Sequence, residues 1–182
     1  TDYKSSNIHQ YPTPKNKFAI VFFVFWNRLR LLLTHPDRYR VLKTHITHKS
    51  GGAARTWKDW AKYLPVVLHL PDIFHIQWAK STEEWMFLKN LFGVKLVLSL
   101  RGAHINYSPV ADQSLAESYR RCFPKLDGFH GVSKAIIEEG KQYGLNPEKS
   151  VVVYSGVSPE FAIAYQKSDY KLQNPVRLLS VG

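Results

Sequence analysis

The sequence predicts an α/β protein built on a Rossmann-like parallel sheet with helices on both faces. Short apolar segments at residues 72–77, 94–100 and 127–132 have the length and composition of buried strands. Segments with helical periodicity separate these strands along the chain. Such an alternation is typical of right-handed βαβ crossovers, which build a parallel sheet.

Composition limits the class of protein. The chain has 182 residues, of which 45% are apolar and 14% aromatic, so it can bury a sizeable core and is not expected to be disordered. A net charge of +11 favours anionic partners. The single cysteine, Cys122, excludes an internal disulfide and is typical of a reducing compartment. The most apolar run, residues 18–26, is about half the length that a membrane span requires, so we expect no spanning helix there. In keeping with a reducing compartment, we expect a cytoplasmic protein.

The first part of the chain, residues 14–64, is predicted to be helical. Thr13 and Pro14 form a plausible start, with a threonine cap and a proline in the first turn. Residues 18–33 form either one helix or a strand followed by a helix. Pro36 then breaks the chain direction.

Two further helices are predicted at residues 37–49 and 53–64. The side chains expected to face the core are Tyr39, Leu42, Ile46, Trp57, Trp60, Ala61 and Leu64. Gly51 and Gly52 lie between these helices. They follow a basic helical segment instead of a strand, so a helix end is favoured over a phosphate-binding loop.

Residues 71–157 are predicted to form βα repeats, with a fourth strand at residues 151–154. Ser81 and Glu84 form a capping box, and that helix runs to Phe92 with Gly93 as its stop. One helix is expected from Ser108 to Pro124. Another follows at residues 134–143, with Ser133 as its cap and Gly144 at its end.

The domain organisation follows from these elements. Residues 1–157 are expected to be an incomplete Rossmann-like domain, and residues 158–175 a polar linker. Residues 176–182, VRLLSVG, have the pattern of a strand, and a strand needs neighbours to pair with. We therefore expect them to open a second domain.

Five motifs between residues 71 and 182 resemble, in order and spacing, those of retaining GT-B glycosyltransferases of the family that includes sucrose synthase and many bacterial polysaccharide enzymes. The motifs are PDIFHIQWA, LVLSLRGAHI, KLDGFHGVSKAIIEEGKQYGL, KSVVVYSGVSPEFA and VRLLSVG. The resemblance implies the amino-terminal, acceptor-side domain of a hexosyltransferase. It further implies a nucleotide-sugar donor, a glycan or lipid-linked acceptor, retention of anomeric configuration and no cofactor. The expected setting is polysaccharide or cell-envelope glycan synthesis.

The sequence departs from the family pattern in two places. The family's first strand and its glycine-rich loop, which contact the donor phosphate, have no match here, and Gly51-Gly52 cannot replace them. The carboxyl-terminal domain, which holds most of the donor in the family, has no match beyond the opening strand. We therefore expect no turnover from this chain by itself.

Arg101 and Gly102 follow the central strand, where an open α/β sheet binds its ligands. Arg101 stands where the family often has a histidine near the reacting sugar and donor phosphate, and its planar guanidinium suits a phosphate. The alternative is an ion pair that holds the loop. Gly102 either lets the backbone approach the ligand or forms an ordinary turn.

His104 stands where the family usually carries an aspartate. Its imidazole could accept the proton of an acceptor hydroxyl, because imidazoles are suited to general base catalysis near neutral pH. The resemblance thus adds His104 to Arg101 as a catalytic candidate. A contact to acceptor or phosphate and a purely structural hydrogen bond are the alternatives.

The other candidate substrate-binding residues are His75, Trp78, Ser133, Lys134, Ser155 and Gly156. His75 faces either the core or the cleft, and Trp78 either stacks on a sugar or packs under the next helix. Ser133 caps its helix, and the helix amino terminus with Lys134 could also attract a phosphate. The loop at Ser155 and Gly156 is expected to line the cleft.

Basic residues concentrate in the first half of the chain, at Arg28, Arg30, Arg38, Arg40, Lys43, Lys49, Arg55, Lys58 and Lys62. Together with Trp57, Trp60 and the phenylalanine-rich run, they suit attachment to the anionic inner face of a membrane. The solvated face of ordinary helices is the alternative.

Three other functions remain open: a sugar epimerase or phosphorylase of the same architecture, and a non-enzymatic basic module for membrane or nucleic acid. No nucleic-acid-reading motif is present, so we expect no nucleic-acid partner. No metal site is expected, because His45 and His48 have no acidic or cysteine partner nearby.

Overall fold

The computed structural model describes residue 14 and residues 16–49 and 53–156. In these residues the α-helices are α1 (Lys17–Thr34), α2 (Pro36–Lys49), α3 (Ala53–Leu68), α4 (Thr82–Phe92), α5 (Ala103–Asn106), α6 (Ser108–Ala111), α7 (Gln113–Cys122) and α8 (Lys134–Lys141). The strands are β1 (Ile73–Ile76), β2 (Lys95–Leu100), β3 (Gly128–Gly131) and β4 (Ser150–Val152). Single 3-10 turns lie at Ala79–Ser81, Phe123–Lys125 and Pro147–Lys149.

α1 is one continuous helix, which decides between the two alternatives for residues 18–33. Asn16 precedes its first residue and accepts a hydrogen bond from the backbone N–H of Phe18 at 3.0 Å. The predicted start at Thr13-Pro14 is therefore wrong, because an asparagine cap further along the chain opens the helix. Neither α1 nor any other helix in the described ranges is long and apolar enough to cross a membrane.

The first three helices pack against one another around a shared apolar core. Leu42 and Ile46 of α2 are buried as predicted, and so are Trp60 and Leu64 of α3. Arg28 of α1 joins the packing, since its guanidinium carbon lies 4.4 Å from the centre of the Trp60 ring. A cation above an indole face adds to the apolar burial that holds such helices together.

α3 extends beyond the predicted end at Leu64 and finishes at Leu68. It passes through Pro65, which cannot donate the usual helical hydrogen bond. The last turn forms nevertheless because Val67 is fully buried, and tertiary packing outweighs local propensity. Trp57, predicted to face the core, is partly exposed.

The four strands form one parallel sheet in the order β1-β2-β3-β4. Each strand therefore pairs with its neighbour in sequence, and the predicted Rossmann-like α/β class is confirmed. The register places His75 beside Val97, Val97 beside Gly128, and His130 beside Val151.

One face of the sheet packs under helices. Phe74 of β1 contacts Trp85 of α4 at a ring distance of 4.7 Å, and Phe129 of β3 contacts Phe123 at 5.7 Å. On the same face α8 lies so close to Gly131 that a Cβ there would stand 2.6 Å from Ile137.

The opposite face carries the residues that alternate with these. At its ends, Ile73 and Val151 are exposed. The described part of the chain thus covers one face with helices, and helices on the second face stay a prediction.

α4 begins where predicted but without the predicted capping box. The Ser81 hydroxyl donates to the carbonyl of Trp78 at 2.8 Å and does not cap the helix. Glu84 reaches sideways instead and accepts hydrogen bonds from Lys62 and from the Tyr63 hydroxyl. The box is wrong because α3 offers this carboxylate better partners. Gly93 ends the helix at a φ of 71°, as expected.

The single helix predicted from Ser108 to Pro124 is wrong, because the chain forms α6 and α7 with a break at Asp112. The Asp112 carboxylate accepts from the backbone N–H groups of Ser114 (3.0 Å) and Leu115 (3.2 Å). Aspartate competes with helix continuation in this way, and here it starts a new helix.

The cap of α8 is as predicted: Ser133 Oγ accepts from the Ile136 N–H at 3.3 Å. Three sequence predictions lie outside the described residues. They concern Gly51-Gly52, the linker at residues 158–175 and the strand at residues 176–182.

Candidate functional site

The carboxyl ends of β1 and β2 bring three of the predicted residues into contact. The Trp78 and His104 rings lie edge to face at 4.9 Å between centres. The Arg101 guanidinium carbon lies 6.0 Å from the centre of the Trp78 ring. Trp78 is largely exposed, so it does not pack under the following helix. An aromatic platform beside a cation is a surface on which a sugar ring and a phosphate can both be held.

Gly102 makes the turn that places this group. The chain leaves β2 through Gly102 and enters the short helix α5, which carries His104. A Cβ at Gly102 would meet no atom within 4 Å, so the backbone there is open to an approaching ligand. The Tyr119 hydroxyl donates to the carbonyl of His104 at 3.1 Å and fixes the turn from below.

His104 has an unusual environment. Its Nδ1 is buried and has no hydrogen-bond partner in the described part of the chain. The structural hydrogen bond considered for this ring is therefore not made through Nδ1. Because an unsatisfied buried N–H is costly, we assign the tautomer with hydrogen on Nε2, which leaves the Nδ1 lone pair free.

A serine between two histidines lies on the open face of the sheet, next to this group. Ser99 Oγ lies 2.8 Å from His75 Nε2 and 3.0 Å from His130 Nδ1. The three residues are on adjacent strands β1, β2 and β3. Ser99 is only 2% exposed, and its hydroxyl contacts both rings. His75 therefore lies outside the core, on the face of the sheet opposite Phe74 and Phe129, and its role in a cleft stays a prediction.

Groups at both ends of this cluster give its hydrogen bonds a direction. Arg101 donates to Gln77 Oε1 at 3.1 Å, which leaves the Gln77 amide nitrogen, 3.3 Å from His75 Nδ1, as the donor to that ring. At the other end His130 Nε2 lies 3.4 Å from the carbonyl of Val153, which can only accept.

We assign the resulting chain from donor to acceptor as Arg101, Gln77, His75, Ser99, His130 and the Val153 carbonyl. Every bond is satisfied only when both rings are neutral and carry their hydrogen on Nε2. Consistently, burial lowers the pKa of His75, and the nearby His130 and Arg101 lower it further. We call these side chains, His75, Gln77, Ser99, Arg101 and His130, the hydrogen-bond relay.

The orientation of the Gln77 amide links His75 to Arg101. A proton on His75 Nδ1 would face the Gln77 amide donor, so the amide would have to turn over. Its NH2 group would then face Arg101, which would lose its acceptor. With neutral His75, Gln77 Oε1 thus remains the acceptor for Arg101.

The remaining predicted residues lie on the neighbouring strands. Ser133 Oγ is used as a helix cap, and Lys134 beside it is exposed and makes no ion pair with any described residue. α8, which starts at Lys134, packs against α5, which carries His104. Ser155 and Gly156 are exposed at the end of β4. No hydrogen bond or ring contact among the described residues joins these four to Trp78, Arg101 or His104.

Sequence reasoning missed Gln77, Ser99 and His130. The signal was available in the strand pattern. His75, Ser99 and His130 each stand at a polar position within an apolar strand, and side chains two apart in a strand share a face. The parallel register that brings them side by side was needed to connect them.

The described residues contain no group of three or more histidine, cysteine, aspartate or glutamate side chains that could hold a metal ion. His45, considered as a ligand, stacks on Phe87 at 4.4 Å inside the core. Comparisons of the chain with protein families, with curated proteins and with solved structures find no match.

Proposed function

We propose that this chain is the acceptor-side domain of a glycosyltransferase, which moves a sugar from a nucleotide-sugar donor to a glycan or lipid-linked acceptor with retention. The observation that carries the proposal is the contact group of Trp78, Arg101 and His104 at the carboxyl edge of a parallel sheet. Ligands of open α/β sheets bind at that edge. The motif resemblance of residues 71–182 supports the same function.

Each residue of the contact group has a role in this proposal. Trp78 stacks on the apolar face of a sugar ring, and Arg101 pairs with a phosphate of the donor. Gly102 leaves room for the ligand beside its backbone. In the assigned tautomer His104 contacts the attacking acceptor hydroxyl by donating from Nε2, and to accept the hydroxyl proton the ring would have to carry its hydrogen on Nδ1 instead. The acceptor oxygen bonds to the anomeric carbon as the bond from that carbon to the diphosphate breaks, and the hydroxyl proton passes to the leaving diphosphate or to His104.

The other predicted residues extend this site. Lys134 and the amino terminus of α8, which Ser133 caps, are suited to a second phosphate contact. Ser155 and Gly156 would border the cleft toward the donor-binding half, and His75 acts through the relay. The proposed setting is cytoplasmic, at the inner face of the membrane.

Ligand binding tests the proposal, because it reports directly on the contact group of Trp78, Arg101 and His104. The indole and backbone N–H signals of the 15N-labelled chain are followed while cello-oligosaccharides or uridine diphosphate glucose are added. We expect shifts at Trp78, Gly102 and the Arg101 side chain. Trp78→Ala should abolish the oligosaccharide shifts, whereas Trp57→Ala, at a partly exposed tryptophan of α3, should not.

Unchanged signals at Trp78 and Gly102 with both ligands would overturn the proposal. Three rivals predict different results. A basic nucleic-acid module predicts tight, strongly salt-dependent binding of oligonucleotides with no oligosaccharide response. An epimerase, which acts on one sugar, predicts shifts with the nucleotide sugar and none with the oligosaccharide. A phosphorylase predicts that inorganic phosphate further shifts the signals of the oligosaccharide-bound chain.

A further inference from the structure

α1 exposes a continuous apolar stripe on the side that faces away from the core. Its members include Phe18, Phe22, Phe25, Trp26, Leu32 and Leu33. They recur at the spacing of a single helical face, and Phe22 is 69% exposed. Val24 and Leu31, on the opposite side of the helix, are fully buried. α1 therefore has two apolar faces, and the described chain covers only one.

Arginines border the α1 apolar stripe on both sides. Arg28 lines a groove together with Phe25 and Leu32, and Arg30 lines another with Trp26 and Leu33. Arg28 is also held by the Tyr39 hydroxyl at 2.9 Å. Neither arginine forms an ion pair with a described carboxylate. No described carboxylate thus neutralises either charge. Arg30 is exposed and available to an anionic partner on the stripe, and Arg28, held by Tyr39 and Trp60, adds positive charge at the opposite border.

The charge of the surrounding surface points the same way. α1 contains no acidic residue, and α1, α2 and α3 together carry ten lysine and arginine residues against two aspartates. A large aromatic stripe with arginines along its edges matches the boundary between acyl chains and anionic headgroups, where apolar rings sink in and long basic side chains reach outward.

We propose that α1 lies flat in the interface of an anionic membrane, with the α1 apolar stripe inserted and Arg28 and Arg30 at headgroup level. The helix lies on the bilayer and does not cross it. This surface is separate from the Trp78, Arg101 and His104 group, so the inference does not depend on glycosyl transfer.

Co-sedimentation with vesicles tests the inference. The purified chain is mixed with vesicles of phosphatidylcholine alone, or with phosphatidylglycerol added, at low and high salt. We expect binding to the anionic vesicles, weaker binding at high salt, and little binding to neutral vesicles. Phe22→Glu should weaken binding about tenfold or more, since a charged group replaces a ring that would be buried.

A matched pair of leucines controls for the added charge. Leu32 on the stripe is 42% exposed and Leu91 on α4 is 46% exposed. Leu32→Glu should reduce binding several-fold more than Leu91→Glu, and circular dichroism confirms that both variants are folded. If the stripe is inserted, Trp26 lies against the acyl chains. Lipids brominated on their acyl chains should therefore quench the Trp26 part of the tryptophan fluorescence, and this quenching should be absent in Trp26→Phe.

Three results would overturn the inference. The first is no binding to anionic vesicles at low salt, and the second is equal binding by the two leucine variants. The third is a lipid-independent dimer that Leu32→Glu dissociates, which would make the stripe a contact between copies of the chain.

Discussion

Replacing Ser99 with alanine removes the middle of the hydrogen-bond relay. The substitution deletes the bonds to His75 (2.8 Å) and His130 (3.0 Å) without altering the apolar packing of β2. Each such bond contributes about 0.5–1.5 kcal/mol, and the histidine rings can regain part of that from water. We therefore expect Ser99→Ala to lower the free energy of unfolding by about 1–2 kcal/mol, measured by urea denaturation.

The same variant should change the histidine rings. In the unmutated chain, long-range 1H–15N spectra should show both His75 and His130 with hydrogen on Nε2. In Ser99→Ala each ring keeps only its outer partner, which is Gln77 for His75 and the Val153 carbonyl for His130, so the share of the Nε2 tautomer should fall in both rings. Ser155→Ala, at an exposed serine after β4, is the control and should change neither the tautomers nor the stability.

An unfolding free energy within about 0.3 kcal/mol of the unmutated value, together with unchanged tautomers, would refute the relay. Loss of stability without a tautomer change would mean that Ser99 only fills space. The combination of the two readouts therefore separates a directed hydrogen-bond chain from ordinary packing.

Three more predictions concern pH and the core. The pKa of His75 is lowered in the folded chain, so at acidic pH the unfolded state binds more protons than the folded state. The free energy of unfolding should therefore fall as the pH drops from the ordinary histidine pKa near 6.5 toward the lowered pKa. A free energy of unfolding in urea that does not change across this range would contradict the prediction. Asp127 accepts from Lys89 and from the Leu96 N–H at 2.9 Å, and these bonds outweigh its burial and lower its pKa. Its contribution to the free energy of unfolding should be present at neutral pH and lost as the pH falls below about 4. Asp127→Asn should cost about 1–2 kcal/mol at neutral pH and should reduce the loss of stability at acidic pH. An unchanged loss at acidic pH would assign it to other carboxylates. Leu98→Ala, at a fully buried position of β2, should cost about 2–5 kcal/mol in the same assay, and a loss below 1 kcal/mol would mean that the sheet is not packed as described.

Hydrophobic periodicity, together with the residues that begin and end helices and strands, predicts the sheet well. The strands are short apolar runs with Gly93 and Ser133 at the boundaries, and these signals depend only on local backbone geometry. Predictions that depended on a choice between partners did less well. Glu84 had a local partner in the capping box and better ones in α3, and Asp112 began a helix where periodicity alone continued one.

In the candidate site, too, local signals could be read from the sequence, whereas contacts between distant residues could not. Arg101, Gly102 and His104 could be singled out because they follow a buried strand directly. The contact of Trp78 with His104 joins positions separated by a whole βα unit, so sequence alone could not place them together. Ser99 and His130 were missed because their contact depends on the register between β2 and β3, which the sequence of neither strand reveals.

The strand order has a consequence for how the chain is made. Each strand pairs with the one before it, so every new βα unit docks on an edge that already exists when it leaves the ribosome. Among the described strands no early strand has to wait for a later one, and each crossover that must close contains 18 to 27 residues. The four described strands can therefore assemble in the direction of synthesis, one repeat at a time, with β4 added after the other three.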